Sequence, residues 1–374
     1  MAYYREGMNA HVRESVFDKL HSSFIQTEPL LYFLGLVKGE NMQALGTAST
    51  MSVFGSGGMG EAEREETGRA AKHEFEYQKT EPSDEANIAS GGTTPVATAF
   101  AEDNVGTGWT GWTLSMAPIK IRVQSLEDAR SETAVGAVVE KATGPVVNAW
   151  IKSIATGLWS DSLTQAQQAK RLWEDGYLGL THTLTASNYY ANVDRSVQTL
   201  LDPMSVDAST HFASPTADLN FNRWVNIGYV RADTSAAVTG LAVRSENGAG
   251  ATLFITTTEI WNDLADQADG RFNITVGGIV DHAIAGFKQP IIEKDNVYYT
   301  WDSRCPSGEM YGLNLDTWLV EVHRNHNFAF TGFRPKWLSE EGGGMYEWGQ
   351  YHAQIRMTCR MPWCNTRIYN ITTN

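Results

Sequence analysis

The sequence predicts an α+β fold from three observations. A helical stretch runs from Leu126 to Trp159, a strand-rich segment from Trp109 to Val123 leads straight into it, and a long mixed region of strands and helices follows. In the helical stretch Val135, Val138, Val139, Ala142, Val146, Ala149, Trp150, Ile154 and Leu158 recur at the spacing of one buried face at 3.6 residues per turn. Glu132, Glu140, Lys141, Asn148 and Lys152 take the other side. Unbroken, this helix would be about 50 Å long at 1.5 Å per residue. Gly144-Pro145 falls in its middle. A proline removes a backbone donor and crowds the preceding turn, so a kink or break is expected there.

The strand-rich segment carries two alternating runs, Trp112, Leu114, Met116 and then Ile119, Ile121, Val123. They are out of phase at Ala117-Pro118, which predicts a bulge or an edge position. Before it, residues 1–45 read as an arm: Val12, Val16, Phe17, Leu20, Phe24 and Ile25 have helical spacing, and after Pro29 comes a dense apolar patch from Leu30 to Val37. Such an arm must pack on its own body or on a neighbour. Residues 46–108 are loop-like, with an acidic run at Glu61–Glu66, a strand at His73–Gln78 and a polar stretch from Lys79 to Gly108. An excursion of that length inside a compact domain is usually functional.

Beyond the long helix, a short helix is expected at Leu163–Glu174 and a mixture of turns and short strands over residues 176–255. Ala251–Ile255 is an apolar strand, and Thr256–Ala268 a helix with a capping box of Thr256 and Glu259. Strands follow at Ile274–Val276, Pro290–Glu293, Val297–Thr300 and Trp318–Val322, with a turn at Pro306-Ser307-Gly308. The end of the chain alternates through Tyr351, Ala353, Ile355, Met357 and Cys359, turns at Met361-Pro362 and resumes as a strand at Thr366–Ile371. Glu340–Gly344 separates this predicted hairpin from what precedes it, which places the hairpin in a different layer from residues 176–335.

Composition narrows the function. A chain of 374 residues is long enough for two or three domains. Only 19% of residues are charged while 12 are Trp, a balance that fits large subunit interfaces and a β-rich core equally well. With 29 Lys+Arg against 43 Asp+Glu the net charge is −14, which disfavours sequence-reading nucleic-acid binding but leaves room for a wall that encloses DNA without gripping it. Three cysteines, Cys305, Cys359 and Cys364, are too few for a disulfide scaffold and fit a reducing compartment. They read as buried free thiols, the sharper alternative being a disulfide within the hairpin or between subunits. No signal-peptide pattern appears, and the longest apolar run, Leu30–Val37, is far short of the roughly 18 residues a membrane helix needs.

Among motifs, Gly55-Ser56-Gly57-Gly58-Met59-Gly60 matches the G-x-G-x-x-G of dinucleotide sites. Glu61, Glu63, Glu65 and Glu66 would face another anion there, so the stretch reads as a hinge. There is no Walker loop, H-E-x-x-H or G-x-S-x-G elbow. His323 and His326 lie three apart without further ligands at metal spacing and read as surface or interface histidines. Catalytic residues, metal and cofactors are all expected to be none.

The order of parts resembles the major capsid proteins of tailed bacteriophages, the Hong Kong 97-type shell fold shared with encapsulin compartments. The resemblance is carried by Asp175–Leu180 followed by Tyr189–Ser196, by Thr256–Trp261, by Pro290-Ile291-Ile292 with Asp295, by Gly308–Asn314 and by the ending Gln354–Asn370. It implies an N-terminal arm (1–45), an extended loop lapping a neighbour (46–118), a peripheral domain with the long helix as spine (119–175 and 335–374) and an axial domain (176–334). It further implies hexamers and pentamers forming an icosahedral or prolate head around phage double-stranded DNA, built in the host cytoplasm with scaffold, portal and decoration proteins as partners and no membrane. Phe17, Leu31 and Phe33 of the arm and Lys79, Glu81, Trp109 and Trp112 of the loop are then the candidate inter-subunit contacts. The covalent cross-link of some family members would pair Lys72 or Lys79 with Asn365 or Asn370, though no motif marks such a pair. An encapsulin-like compartment is the alternative within the fold, and a dinucleotide-binding enzyme using Gly55–Gly60 the alternative outside it.

Overall fold

The computed structural model of the chain describes residues 30, 63–67, 72–78, 105–129, 132–159, 179–186, 189–198, 201–211, 216–218, 251, 253–271, 291–294, 297–323, 326, 329–338 and 344–373. In chain order the first strands are β1 (Glu63–Thr67), β2 (Lys72–Gln78), β3 (Val105–Gly111) and β4 (Thr113–Arg122). Helices α1 (Val123–Glu127) and α2 (Glu132–Trp159) come next, then α3 (Leu180–Thr183), β5 (Tyr189–Tyr190), β6 (Val193–Asp194), β7 (Met204–Asp207) and α4 (Ala208–His211). The remainder is β8 (Leu253–Thr256), α5 (Thr258–Arg271), β9 (Ile292–Lys294), β10 (Val297–Trp301), β11 (Met310–Leu313) and β12 (Trp318–His323). It closes with β13 (Ala329–Phe330), β14 (Arg334–Leu338), β15 (Gly344–Cys359) and β16 (Thr366–Tyr369). The chain is α+β, as expected.

Two six-stranded sheets organise these elements. In the first, the 16-residue β15 is the centre: β12, β13, β14 and β4 all pair with it antiparallel, and β1 adds to β12 in parallel. The second has the order β7-β16-β11-β8-β10-β9. The helix α2 lies against the first sheet. Its buried residues Val135, Val139, Thr143, Val147, Ile151, Ile154 and Leu158 advance by three or four, and Trp150 stacks on Tyr351 of β15 at 5.9 Å between ring centroids. Trp150 Nε1 also donates to Ser115 Oγ of β4 at 2.6 Å, so the indole satisfies its polar edge where it enters the sheet.

Several expectations are corrected. The helix starts at Glu132 and residues Val123–Glu127 form a separate short helix. The expected break at Pro145 is absent, because α2 is continuous through it. Lys141, whose carbonyl loses its donor, and Pro145 are both exposed, so water reaches the group the ring leaves unpaired. Ala149, assigned to the buried face, is exposed, while Val147, Ile151 and Ala155 are buried. No bulge occurs at Ala117-Pro118, since the β4–β15 register runs unbroken through Ala117↔Tyr351 and Pro118↔Gln350. The phase change lies instead at Trp112, between β3 and β4. Pro118 is exposed on a strand whose only partner among the described residues is β15, a position that tolerates a missing N–H.

The acidic run expected as loop contains β1, whose backbone pairs with β12 from Glu63↔Leu319 to Thr67↔His323. An edge strand needs only backbone pairing, so tertiary context overrides the weak strand propensity of Glu-Arg-Glu-Glu. The helix cap is Thr257, whose hydroxyl accepts from Ile260 N–H at 3.4 Å; Thr256 Oγ1 donates to Glu309 O instead, so the predicted capping box does not form.

The largest correction concerns the chain's end. β15 and β16 are not a hairpin: after the 3₁₀ turn Pro362–Cys364, β16 leaves the first sheet and inserts between β7 and β11 of the second. β12 correspondingly belongs to the same sheet as β15 rather than to a different layer. The fully buried Ile368 explains the move, since it joins a second core with Met204, Val206, Phe254, Ile260, Leu264, Tyr299 and Met310. The expected helix Leu163–Glu174, the strand Ile274–Val276 and the glycine run Gly55–Gly60 lie outside the described residues. No helix among the described residues is long and apolar enough to cross a membrane.

Candidate functional site

The chain leaves the first sheet at Thr67, the end of β1, and re-enters it at Thr113, the start of β4. Between these points β2 and β3 form an antiparallel ribbon in register from Lys72↔Gly111 to Gln78↔Val105. Its base is built from rings lying over glycines. Phe75 faces Gly108 and Tyr77 faces Gly106, and a Cβ at those glycines would come within 2.9 Å of the Phe75 ring and 2.5 Å of the Tyr77 ring. Both rings are buried, which ties the ribbon to the body.

Two anchors hold the base. The first is the β5–β6 hairpin, whose turn residues Ala191 and Asn192 have φ of +50° and +66°, the left-handed geometry of a tight two-residue turn. The Ala191 carbonyl accepts the Trp109 N–H at 2.8 Å, and Tyr190 faces Phe75 at 6.3 Å. The Tyr190 hydroxyl accepts the Cys359 N–H at 2.7 Å and donates to the Cys359 carbonyl at 3.1 Å, so the hairpin is fixed to the end of β15. Arg195, fully buried, donates to the carbonyls of Thr183 and Thr185 at 2.8 Å each; burial pulls its guanidinium down to about 10.

The second anchor is Trp112. Its ring lies 4.3 Å from the Arg356 guanidinium and edge-on to His323 at 5.5 Å. Arg356 stands directly across the β12–β15 register from Glu321, and both are buried. Arg356 Nε donates to Glu321 Oε2 at 2.5 Å and Nη2 donates to Oε1, the two-pronged geometry that suits a guanidinium to a carboxylate. Beside them, Thr110 and Thr358 share a hydroxyl–hydroxyl bond of 2.6 Å. His323 continues into an imidazole row: its ring centroid is 4.9 Å from that of His326, which is 4.8 Å from that of His352. Burial, and then the neighbouring His326, holds His323 below the ordinary histidine value.

Of the candidate inter-subunit contacts, Phe17, Leu31, Phe33, Lys79 and Glu81 lie outside the described residues. Trp109 is half-buried against its own core, and Trp112 is 8% exposed, its ring occupied by Arg356 and His323 of the same chain. Cys305, Cys359 and Cys364 are buried free thiols; burial pushes the Cys359 thiol up to about 12 and raises Cys305 well above its ordinary value. Asn365 is fully buried: its amide oxygen accepts from Asn314 N–H and Trp318 Nε1, both at 2.9 Å, and its amide nitrogen donates to Thr317 Oγ1 at 2.9 Å. Asn370 is exposed.

Sequence reasoning missed the Glu321–Arg356 pair and the third histidine. Strand alternation places Arg356 and His352 on one side of β15, but nothing local marks Glu321 as the residue opposite. Among the described residues no group of three or more His, Cys, Asp or Glu is arranged to hold a metal ion. The first described element beyond Gly55–Gly60 is the strand Glu63–Thr67, and the glycine run itself lies outside the described residues.

No protein-family model matches the chain, and no curated protein matches it in sequence. Solved structures do resemble it. The capsid of Cyanophage A-1(L) is 14% identical, with 83% of this chain and 90% of that one covered at a TM-score of 0.49. The holo encapsulin complex of Synechococcus elongatus is 7% identical, covering 88% and 92% at 0.45. The capsid of Ralstonia phage GP4 is 10% identical, covering 90% and 95% at 0.42.

Proposed function

We propose that the chain is a shell-building subunit, the major capsid protein of a tailed bacteriophage, which assembles as hexamers and pentamers into a head around double-stranded DNA. The observation that carries this reading is the excursion from Thr67 to Thr113, both ends of which are seated in one sheet backed by the 28-residue helix α2, with a second sheet beside it. A strongly seated base suits a ribbon that reaches across a neighbour, because it fixes the direction of the reach. Phe17, Leu31, Phe33, Lys79 and Glu81 are the residues that make those contacts, and many modest contacts per subunit add to a stable shell.

In this reading the first sheet with α2 forms the peripheral domain and the second sheet with α5 the axial domain. β12 falls in the peripheral part and β16 in the axial part. The net charge of −14 keeps packaged DNA from adhering to the wall. Scaffold, portal and decoration proteins are the expected partners, the virion the destination and the host cytoplasm the place of assembly.

Electron microscopy of the chain co-expressed with its neighbouring phage genes tests the reading. The expected result is closed particles containing nuclease-protected DNA. Particles filled with protein cargo would instead favour an encapsulin-like compartment, and a monomer under all those conditions would overturn both. Replacing Gly57 by Ala separates off the enzyme alternative: loss of a bound dinucleotide, with assembly unchanged, would support it.

A further inference from the structure

His323, His326 and His352 come from three different places: the end of β12, the turn after it and the middle of β15. Their rings nevertheless stand in a row with centroids 4.9 and 4.8 Å apart. Both seats of the excursion meet this row. Thr67, the last residue of β1, is the register partner of His323, and the Trp112 ring between β3 and β4 lies edge-on to His323. The Nδ1 atom of His326 is buried and has no hydrogen-bond partner among the described residues.

We propose that this imidazole row is a proton-sensitive clasp, closed when its rings are neutral, that holds the end of β1 and the β3–β4 junction onto β12 and β15. The charges facing it are set by the register. From β12 comes Glu321, whose carboxylate is taken up by Arg356 of β15. From β4 comes Met116, opposite His352; from β13 comes Ala329, also opposite His352; from β1 come Thr67 at His323 and Glu65 at Glu321. Among the described side chains that carboxylate is paired with a cation, Arg356, whose guanidinium lies 4.3 Å from the Trp112 ring centroid. Two protonated rings about 5 Å apart would repel in a partly buried setting.

The sign follows from the open state. An opened clasp exposes its imidazoles, which take up protons at about 6.5. The closed clasp disfavours the protonated form, as the lowered His323 value indicates. Closure is therefore fully favoured above that pH and loses ground as pH falls below it. The clasp is a property of the single chain and does not depend on the proposed assembly.

Hydrogen exchange, with times scaled for intrinsic rates, tests it at pH 7.5 and 5.5. Protection of Glu63–Thr67 and Val105–Thr113 should fall at the lower pH, the direction set by the lowered His323 value. Leu253–Thr256 in the second sheet should not change, and His326→Gln should shrink the fall, since it removes the neighbouring imidazole that lowers His323. Equal protection at both pH values, an equal loss in the second sheet, or an undiminished fall in His326→Gln would overturn the proposal. An NMR titration of the unaltered chain gives an answer even if that variant fails to fold. The His323 imidazole should titrate below the ordinary histidine value, and its titration at or above about 6.5 would overturn the proposal.

Discussion

On one face of the first sheet Ile119 and Ile121 of β4, Tyr351, Ala353 and Ile355 of β15 and Val320 and Val322 of β12 are buried on the side where α2 packs. On the other, Glu321, Arg356, Trp112 and three histidines meet through directed contacts between charged, polar and aromatic groups. The first face is stabilised by removing apolar area from water, which is non-directional and indifferent to pH. The second depends on particular pairs, so the loss of one partner leaves the other stranded in a dry site. One sheet therefore combines a permanent attachment to its helix with a conditional attachment to the excursion.

The strongest way to break that contrast is Glu321→Ala. It leaves the Arg356 guanidinium buried without its carboxylate and should cost about 3–5 kcal/mol, read as a lower urea midpoint. Combining Glu321→Met with Arg356→Leu should recover most of that loss, because the penalty lies in the orphaned charge. A double variant as unstable as the single one would place the penalty in lost packing instead.

On the helix face Leu158→Ala empties a fully buried site and should cost about 3 kcal/mol, by the same amount at pH 7.5 and 5.5. A pH-dependent loss there would erase the distinction between the faces. The smallest effect, of opposite sign, is expected on the exposed side of the helix. Pro145→Ala restores a donor to the Lys141 carbonyl and should raise stability by about 2 kcal/mol, measured as a higher melting temperature. A lower melting temperature would mean that the proline ring shapes the helix in a way its neighbours require.

The legible parts of the molecule were the local ones. The α2 stripe, the alternation along β15 and the strand at His73–Gln78 follow from periods of 3.6 and 2 written into neighbouring residues. Even there the reading slipped by about one residue at Ala149 and at the Thr256–Thr257 cap, where propensity is flat and burial decides. The base of the excursion was legible as a returning strand pair but not as a clasp. Trp112 reads as one apolar residue among several until its ring meets Arg356, 244 positions away by subtraction of their numbers.

The sequence by itself determined an acidic α+β chain with a long amphipathic helix, an excursion ahead of it and thiols suited to burial. Only the tertiary structure decided that β12 joins β15 while β16 crosses to the other sheet, that Glu321 faces Arg356, and that His352 completes a row begun by His323 and His326. The reason is physical. Periodicity fixes which side of a strand a residue occupies, but the register between strands distant in sequence is set by the burial of whole faces at once, and no local pattern encodes that sum.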